Sequence, residues 1–228
     1  MKPKRILIFT GPPGAGKGTL SNLCLEQLNW THLSTGNLCR KHIAQQTEIG
    51  KQISDIIAQG KYISDDLIVA MVHEWLVEQS NHIDHVILDG SPRTVAQAQA
   101  LFDFVNEQLK DFALTVVRLT ISDEAVVARL TSRAVCKNKD CQAVYSTTDS
   151  SLSPKEGMIC NKCTFVLEHR ADDEPQVIRD RLKTYYKHEQ ALLDFFERVG
   201  VEIKKISVEK PIHELFAELK KQLGVARA

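Results

Sequence analysis

The sequence has no excess of charge of either sign. Its 228 residues include 29 Lys and Arg and 29 Asp and Glu, so the net charge is zero. Broad binding to a polyanion needs clustered positive charge, so this balance argues against a general nucleic-acid surface, although it leaves room for a local cluster of arginines. We therefore expect no nucleic-acid partner.

The sequence also lacks any apolar run near the roughly 18–20 residues that span a bilayer, so we expect no membrane partner. The opening MKPKRILIFTG has basic residues and a short apolar run, but it continues into glycines without a small-residue cleavage site. That pattern predicts a first strand and not a signal peptide. We expect a cytoplasmic protein, whose thiols stay reduced.

The remaining composition is that of an ordinary globular protein, with 43% hydrophobic and 25% charged residues. Short apolar runs predict buried strands, and periodic apolar spacing predicts helices. The predicted strands are 5–10, 85–90, 114–121 and 201–207. The predicted helices are 17–28, 34–46, 49–58, 64–79, 95–109, 123–134, 173–200 and 210–223. This alternation is typical of an α/β fold with a parallel sheet wrapped on both faces, which binds ligands at the carboxyl ends of its strands.

The stretch ILIFTGPPGAGKGT carries the clearest chemical signal. Gly11, Gly16 and Lys17 have the spacing of a phosphate-binding loop, whose glycines turn backbone N–H groups toward an oxyanion. The lysine adds a cation, and the following helix adds its positive end. Thr19 offers a hydroxyl one residue later than the usual pattern. The alternative interpretation is a glycine-rich turn that binds no ligand. The predicted strand before the loop and the predicted helix after it argue against this alternative.

Four motifs together resemble the nucleoside monophosphate kinases. GPPGAGKGT resembles GxPGxGKGT, STGNLCR resembles STGDxLR, LDGSPRT resembles LDGFPRT, and HRADDEPQVIRDRL resembles xRxDDxxExxxxRL. The resemblance covers essentially the whole chain and is strongest to the adenylate kinases with a long, metal-containing lid. It implies a P-loop NTPase-type, doubly wound parallel sheet of five strands with two mobile lobes.

The resemblance also implies the organisation of the chain and its ligands. The core domain would comprise 1–33, 64–133 and 170–228, the lobe for the monophosphate 34–63, and the lid 134–169. The nucleotides would be ATP, AMP and ADP, with Mg2+ accompanying ATP. The protein would be a monomer.

The resemblance assigns roles residue by residue. The implied catalytic residues are Lys17, Asp89, Arg93, Arg133, Arg170 and Arg181. The implied ATP-binding residues are Gly14, Ala15, Gly16, Lys17, Gly18, Thr19, Arg129, Arg133, Val144, Tyr145 and Lys210. The implied AMP-binding residues are Thr35, Gly36, Arg40, Lys61, Tyr62, Ile63, Gly90, Arg93, Gln97, Arg170 and Arg181.

The arginines at motif positions suit phosphoryl transfer. Such a reaction needs charge neutralisation and alignment more than covalent chemistry. Arginine grips phosphate oxygens with a planar fork and stays charged. Asp89 ends a predicted strand, where a carboxylate can orient the water shell of Mg2+. Asp172 and Asp173 are expected to orient lid arginines, and they also suit the first turn of the long helix.

Two departures from the family pattern concern the acceptor. Thr35 and Gln97 stand where adenylate kinases contact adenine, and a Gln amide can both donate to and accept from an adenine edge. Asn37 replaces the usual Asp, and Ser91 replaces the usual Phe. The Ser91 change removes an aromatic wall from the acceptor site. We expect AMP, and CMP, UMP or dAMP stay open as alternatives.

Four of the six cysteines crowd one segment. Cys136 and Cys141 form a C-x4-C pair, and Cys160 and Cys163 form a C-x2-C pair. Two such pairs suit a structural tetrahedral Zn2+ site, although the family's lids carry C-x2-C twice. Free or partly oxidised thiols are the alternative. Cys24 and Cys39 are isolated in helical patterns, as small core residues often are.

The resemblance therefore implies adenylate kinase activity, the conversion of MgATP and AMP into two ADP by direct in-line transfer with lid closure. A zinc-stabilised nucleotide-binding module without catalysis is the alternative from another class. The intact Lys17, Asp89 and arginines argue against it. A P-loop NTPase that acts on nucleic acid is disfavoured by the absence of a basic stripe.

Overall fold

The structure, a computed structural model, describes residues 4–58, 63–80, 82–138, 141 and 143–225. Over these residues the chain alternates between strands and helices. The strands are β1 (Lys4–Thr10), β2 (Thr31–Ser34), β3 (His85–Asp89), β4 (Phe112–Thr120), β5 (Arg133–Cys136), β6 (Val144–Ser146), β7 (Leu167–Glu168) and β8 (Glu202–Ser207). The helices are α1 (Lys17–Leu28), α2 (Thr35–Ala44), α3 (Glu48–Ala58), α4 (Asp65–Gln79), α5 (Val95–Gln108), α6 (Asp123–Thr131), α7 (Pro175–Arg198) and α8 (Ile212–Gln222).

Five strands form a central parallel sheet in the order β2-β3-β1-β4-β8. The predicted α/β fold with a five-stranded parallel sheet is therefore confirmed. Because all five strands run the same way, their carboxyl ends meet at one edge, where open α/β sheets bind ligands. The loops after β1 and β3 lie at that edge and bring the glycine motif toward Asp89.

Strand β1 shows why both faces of this sheet are covered. Ile6 and Ile8 pack into one apolar cluster, which also contains Phe195 and Phe196 of α7. Leu7 and Phe9 pack into a second cluster with side chains of α1 and α8. Alternate residues of a strand point to opposite faces, so a continuous apolar run requires helices on both sides.

Strands β2 and β5 depart from the sequence expectations. Residues 31–34 form β2, a strand that no apolar run announces, since only Leu33 is a buried hydrophobic residue there. The helix expected over 123–134 ends at Thr131, and Arg133–Cys136 forms strand β5 instead. The helical spacing continues past Thr131, but hydrogen bonding to β6 and β7 determines the conformation.

The cysteine-rich segment forms a small second sheet. Its three antiparallel strands have the order β6-β5-β7. Its buried residues form a separate cluster: Ala134, Cys136, Ala143, Tyr145, Cys160 and Leu167. This sheet, with its connecting loops over 133–169, is called the cysteine lobe.

Helices α2 and α3 form a compact pair beside the main sheet. The Ser34 side chain accepts a hydrogen bond from the Asn37 N–H and caps α2, as its sequence predicts. Gly50 lets the helices approach closely, because a Cβ there would lie 2.0 Å from the carbonyl oxygen of His42. Ser64 caps α4 in the same way by accepting from the Leu67 N–H.

Candidate active site

The loop between β1 and α1 has the backbone shape of a phosphate cradle. Gly14 and Gly16 have φ values of 80° and 85°, which side chains rarely tolerate. A Cβ on Gly14 would also lie 2.9 Å from Leu130 Cγ. Gly16 is the N-cap of α1, and no described side chain caps that end. The first N–H groups of α1 are thus available to an anion.

Lys17 folds back over this loop. Its Nζ donates to the carbonyl oxygens of Gly11, at 2.7 Å, and Pro12, at 3.0 Å. Burial, which Asp89 opposes and nearby arginines reinforce, lowers the pKa of Lys17 to about 8. The ammonium is therefore a buried cation with arginines nearby, and bound phosphates would neutralise this charge.

One cavity of about 1010 Å3 collects most of the predicted site residues. It extends from the glycine loop across the carboxyl edge of the main sheet to the cysteine lobe. The predicted residues that line it are Gly14, Ala15, Gly16, Lys17, Gly18, Thr19, Gly36, Arg40, Asp89, Gly90, Arg93, Arg129, Arg133, Val144, Tyr145, Arg170, Arg181 and Lys210.

Three predicted acceptor residues that the structure describes do not line this cavity. Thr35 begins α2 and is 4% exposed, and Gln97 lies in α5 and is 5% exposed. Ile63 is partly buried beside the cluster that contains Ile68. Lys61 and Tyr62 lie outside the described residues.

Two adjacent carboxylates hold three of the arginines. Arg133 donates to both oxygens of Asp173, at 2.8 and 2.6 Å. Arg170 donates to both oxygens of Asp172, at 2.9 and 3.1 Å, and Arg181 donates to Asp172 Oδ2 at 2.9 Å. These bidentate contacts fix the planes of the guanidinium groups. Although burial opposes it, the arginines lower the pKa of Asp172.

The two arginines on the acceptor side contact neutral groups. Arg40 donates to the Asn37 side-chain oxygen, and Arg93 Nε donates to the Gly90 carbonyl oxygen at 2.7 Å. Asn37, which replaces the usual Asp, supplies the same acceptor atom without a negative charge. Burial and the neighbouring Arg170 lower the pKa of Arg40, while Asp172 raises it. The acceptor side is thus less neutralised than the side that Asp172 and Asp173 serve.

Two further cations border the cavity near the end of β8. Arg129 donates to the Val208 carbonyl oxygen at 2.6 Å. Lys210 pairs with Glu218 at 2.8 Å on the surface of α8.

Asp89 sits beside the glycine loop, at the end of β3. A Cβ on Gly18 would lie 3.9 Å from Asp89 Oδ2, so little separates this carboxylate from the start of α1. His32 Nε2 lies 3.9 Å from the same oxygen, which is too far for a hydrogen bond. Burial lowers the pKa of His32, while Asp89 raises it.

The four clustered cysteines meet the geometric requirements of a metal site. Their sulfurs all lie within 4.8 Å of one another, with 3.3 Å from Cys136 to Cys163 and 3.7 Å from Cys141 to Cys160. A tetrahedral site with Zn–S bonds of about 2.3 Å would separate sulfurs by about 3.8 Å. All four are free thiols, so these cysteines can hold a metal ion.

Tyr145 belongs to this cluster through its hydroxyl group. The Tyr145 oxygen lies 3.4 Å from Cys160 Sγ and accepts a hydrogen bond from the Asn161 N–H at 2.8 Å. Burial raises the pKa of Tyr145 to about 12. Burial also raises the pKa of the Cys136 thiol to about 12, whereas hydrogen bonds to Cys160 overcome its burial and lower its pKa to about 6.

Sequence reasoning missed a polar network in the cavity wall. Glu189 accepts from Arg118 Nε at 2.7 Å and from the Tyr185 hydroxyl at 2.6 Å. Tyr185 and Glu189 both line the cavity, as does His32. The i, i+4 spacing of Tyr185 and Glu189 in a predicted helix was a usable signal. The contact between Glu189 and Arg118 could not be predicted from sequence, because 71 residues separate the two partners.

The fold and site define a class. A phosphate loop with its lysine faces two groups of arginines across one cavity, as a P-loop kinase for two phosphorylated substrates requires. The comparisons with known proteins specify the family: the sequence model described as Adenylate kinase matches residues 9–201. The chain belongs to the adenylate kinase family and is a phosphotransferase, as the motif resemblance predicts.

Individual members of the family are similar in sequence to this chain over most of its length. An adenylate kinase of Thermotoga petrophila is 36% identical over 219 residues, which are 96% of this chain and 96% of that protein. An adenylate kinase of Chlamydia muridarum is 36% identical over 93% of this chain and 85% of its own length. One from Archaeoglobus fulgidus is 36% identical over 86% of this chain and 87% of its own.

Among the described residues, no helix has both the length and the apolar character needed to cross a bilayer.

Proposed function

We propose that this protein transfers the γ-phosphoryl group of MgATP to AMP and forms two ADP, reversibly and by direct in-line displacement. An oxygen of the AMP phosphate would form a bond to the γ-phosphorus while the bond to the β,γ-bridging oxygen breaks. The observation that carries the proposal is the single cavity shared by the glycine loop, Lys17 and the arginines. A hydrolase for one nucleotide would need only part of this set.

The donor side would be formed by the loop and the cysteine lobe. The N–H groups of residues 14–19 would surround the β-phosphate, and Lys17 would leave the Gly11 and Pro12 carbonyl oxygens to contact the β- and γ-phosphates. Arg129 would lie on the donor adenine, with Val144, Tyr145 and Lys210 nearby. Because the Tyr145 hydroxyl is engaged by Asn161, only its ring would be available to ATP.

The acceptor side would begin with Arg40 and Arg93, which would hold the phosphate of AMP. Thr35 and Gln97 would contact its base, and Gly36, Gly90 and residues 61–63 would complete the pocket. Arg133, Arg170 and Arg181 would surround the transferred group, already oriented by Asp172 and Asp173. Preorganised cations of this kind stabilise the charge that develops during transfer.

The chain has residues suited to two metal ions, Mg2+ and Zn2+. Mg2+ would accompany ATP and neutralise phosphate charge, and Asp89 beside the loop suits the orientation of its water shell. Zn2+ would be held by Cys136, Cys141, Cys160 and Cys163 and would supply a structural cross-link. A site of reduced thiolates suits a cytoplasmic protein. Monomer is the oligomeric state proposed from the resemblance.

The lobes at 34–63 and 134–169 would close over the bound nucleotides. Closure would expel water, which is the competing acceptor of the phosphoryl group. Lobe opening after transfer would then limit turnover.

A second acceptor class has one observation in its favour. Gln97 is buried and hydrogen-bonded to protein groups, so its reading of adenine is restricted. With Ser91 in place of an aromatic residue, CMP or UMP would be the competing acceptors.

The test is ADP formation from MgATP with AMP, CMP, UMP, GMP and dAMP in parallel, and with no acceptor as control. We expect AMP to be turned over well ahead of the others. Faster turnover of another monophosphate would show that this nucleotide, and not AMP, is the acceptor. ATP binding without turnover on any acceptor would overturn the proposed reaction.

A further inference from the structure

Asp65, the first residue of α4, joins that helix to the start of α5. Its Oδ1 accepts from Gln97 Nε2 at 2.7 Å, and its Oδ2 accepts from the Thr94 hydroxyl at 2.8 Å. Thr94 is the N-cap of α5, and its hydroxyl accepts from the Gln97 N–H at 3.2 Å. Both carboxylate oxygens therefore hold the turn that carries Gln97, and no sequence motif used above includes Asp65.

The chemistry of its partners fixes the orientation of the Gln97 amide. Gln97 Oε1 accepts from the Arg93 backbone N–H at 2.8 Å. A backbone N–H can only donate, and a carboxylate such as that of Asp65 can only accept. Exchanging the amide oxygen and nitrogen would place the NH2 group against the Arg93 N–H and the amide oxygen against the Asp65 carboxylate. With Gln97 only 5% exposed, such a flip would leave unpaired groups away from water.

Ser91 completes this network. Its hydroxyl lies 3.4 Å from Gln97 Oε1, a long hydrogen bond to the second lone pair of that oxygen. An aromatic side chain, which the family motif has at this position, has no such donor. The amide nitrogen of Gln97 has two hydrogens, and Asp65 accepts only one. Among the described residues no second group accepts from this nitrogen, so one N–H is the polar group that Gln97 offers to a ligand.

We infer that Asp65 is a positioning residue for acceptor selection: it fixes the Gln97 amide, and together with Ser91 it leaves a single N–H to meet the acceptor base. The inference rests on the proposed function, in which Gln97 faces that base. An N–H recognises a ring nitrogen or a carbonyl oxygen, not an amino group. This protein therefore distinguishes a 6-amino from a 6-oxo purine weakly at Gln97.

The first test compares Asp65→Ala, Asp65→Asn and Asp66→Ala with the unsubstituted protein. Asp66 is the matched control, because it is an exposed acid in the same first turn of α4. In Asp65→Ala the amide nitrogen of Gln97 loses its acceptor and is less firmly oriented, and we expect KM for AMP to rise about fivefold to tenfold, as loss of a hydrogen bond to a charged group would allow. KM for ATP and kcat should stay within about twofold.

Asp65→Asn keeps an oxygen that can accept from Gln97, so it should restore KM for AMP to within about twofold. A purely structural role would move both KM values and the melting temperature together. An unchanged KM for AMP in Asp65→Ala, or an equal rise in Asp66→Ala, would overturn the inference.

The second test uses Ser91→Ala, a small change that tests the inference even where Asp65→Ala fails to fold. Removal of the hydroxyl frees one lone pair of Gln97 Oε1 to accept from the 6-amino group of AMP. We expect the ratio of kcat/KM for AMP to that for inosine monophosphate to rise about threefold. An unchanged or lower ratio would overturn the role given to Ser91 and the fixed amide. Inactivity of the unsubstituted protein on AMP would instead overturn the proposed function.

Discussion

The main sheet and the cysteine lobe are two β-sheets of one chain that are held together by different means. In the main sheet, Ile6 and Leu7 are 0% exposed, and helices cover both faces with large apolar side chains. In the cysteine lobe the buried cluster has six residues, two of which are cysteines. A sheet this small buries little apolar surface, so a metal cross-link would add to its stability. Apolar packing thus suffices for the larger sheet, whereas metal binding would complete the smaller one.

The two regions also differ in what they contribute to function. The loop after β1 holds Lys17 as a buried cation, and burial holds its pKa near 8. The lobe instead contributes Arg133 and a wall of the cavity. The comparison therefore predicts that function and stability can be impaired separately, in different places.

The largest effect is expected from Lys17→Met. It should lower kcat by orders of magnitude, because the phosphates lose their buried cation, while the fold survives. Lys51→Met is the matched control, since Lys51 is an exposed lysine paired with Glu48 on α3, and its turnover should be unchanged. Turnover is measured as ADP formation; near-normal turnover in Lys17→Met would remove Lys17 from the site.

Lys17→Met should also change how the stability of the protein depends on pH. The pKa of Lys17 is about 8 in the folded protein, against 10.5 for a free lysine. Between these values the unfolded chain binds more protons, so this lysine makes stability rise with pH. Lys17→Met should melt at a higher temperature than the unsubstituted protein at pH 7, and this difference should narrow toward pH 10. A constant difference would contradict the lowered pKa.

An intermediate effect is expected from Cys163→Ser. Loss of one thiolate should weaken metal binding and lower the melting temperature by about 5 °C or more, while activity at low temperature stays within about twofold. A chelator should reproduce this shift in the unsubstituted protein and add little to the variant. Lost activity with an unchanged melting temperature would show that the cysteines do not serve as a structural metal site.

The smallest effect is expected where the two regions touch. Lys162, between two of the cysteines, pairs with Glu26 of α1 at 2.9 Å, and their side chains are 57% and 55% exposed. Such a pair contributes up to about 1 kcal/mol, so Lys162→Ala should lower the melting temperature by about 1–2 °C at low salt. High salt should abolish the shift. A shift that persists in high salt would mean that the contact is more than an exposed ion pair.

Most of the main sheet could be predicted from sequence, because strands β1, β3 and β4 contain runs of buried apolar residues. Strand β2 could not, since its THLS has only one buried apolar residue and pairs with β3 through tertiary contact. The first residues of strand β5 were predicted to be helical, because the apolar spacing of 123–134 stays helical beyond Thr131.

The site divides in the same way. Its loop, arginines and cysteines have recognisable spacings, and the structure brings most of them to one cavity. The contact between Asp65 and Gln97 spans 32 residues and depends on how α4 meets α5. Likewise, sequence alone could not show that Asn161 engages the Tyr145 hydroxyl.

The position of β1 in the middle of the main sheet has a consequence for synthesis on the ribosome. Arg5 pairs with His85 on one side, and Lys4 pairs with Phe112 on the other. β1 and the glycine loop are thus translated before either flanking strand, since β3 begins at His85 and β4 begins at Phe112. Until β3 and β4 emerge, β1 is an apolar strand with two open edges, the form most prone to wrong pairing. The nascent chain therefore depends on rapid completion of β3 and β4, or on chaperones that shield β1 meanwhile.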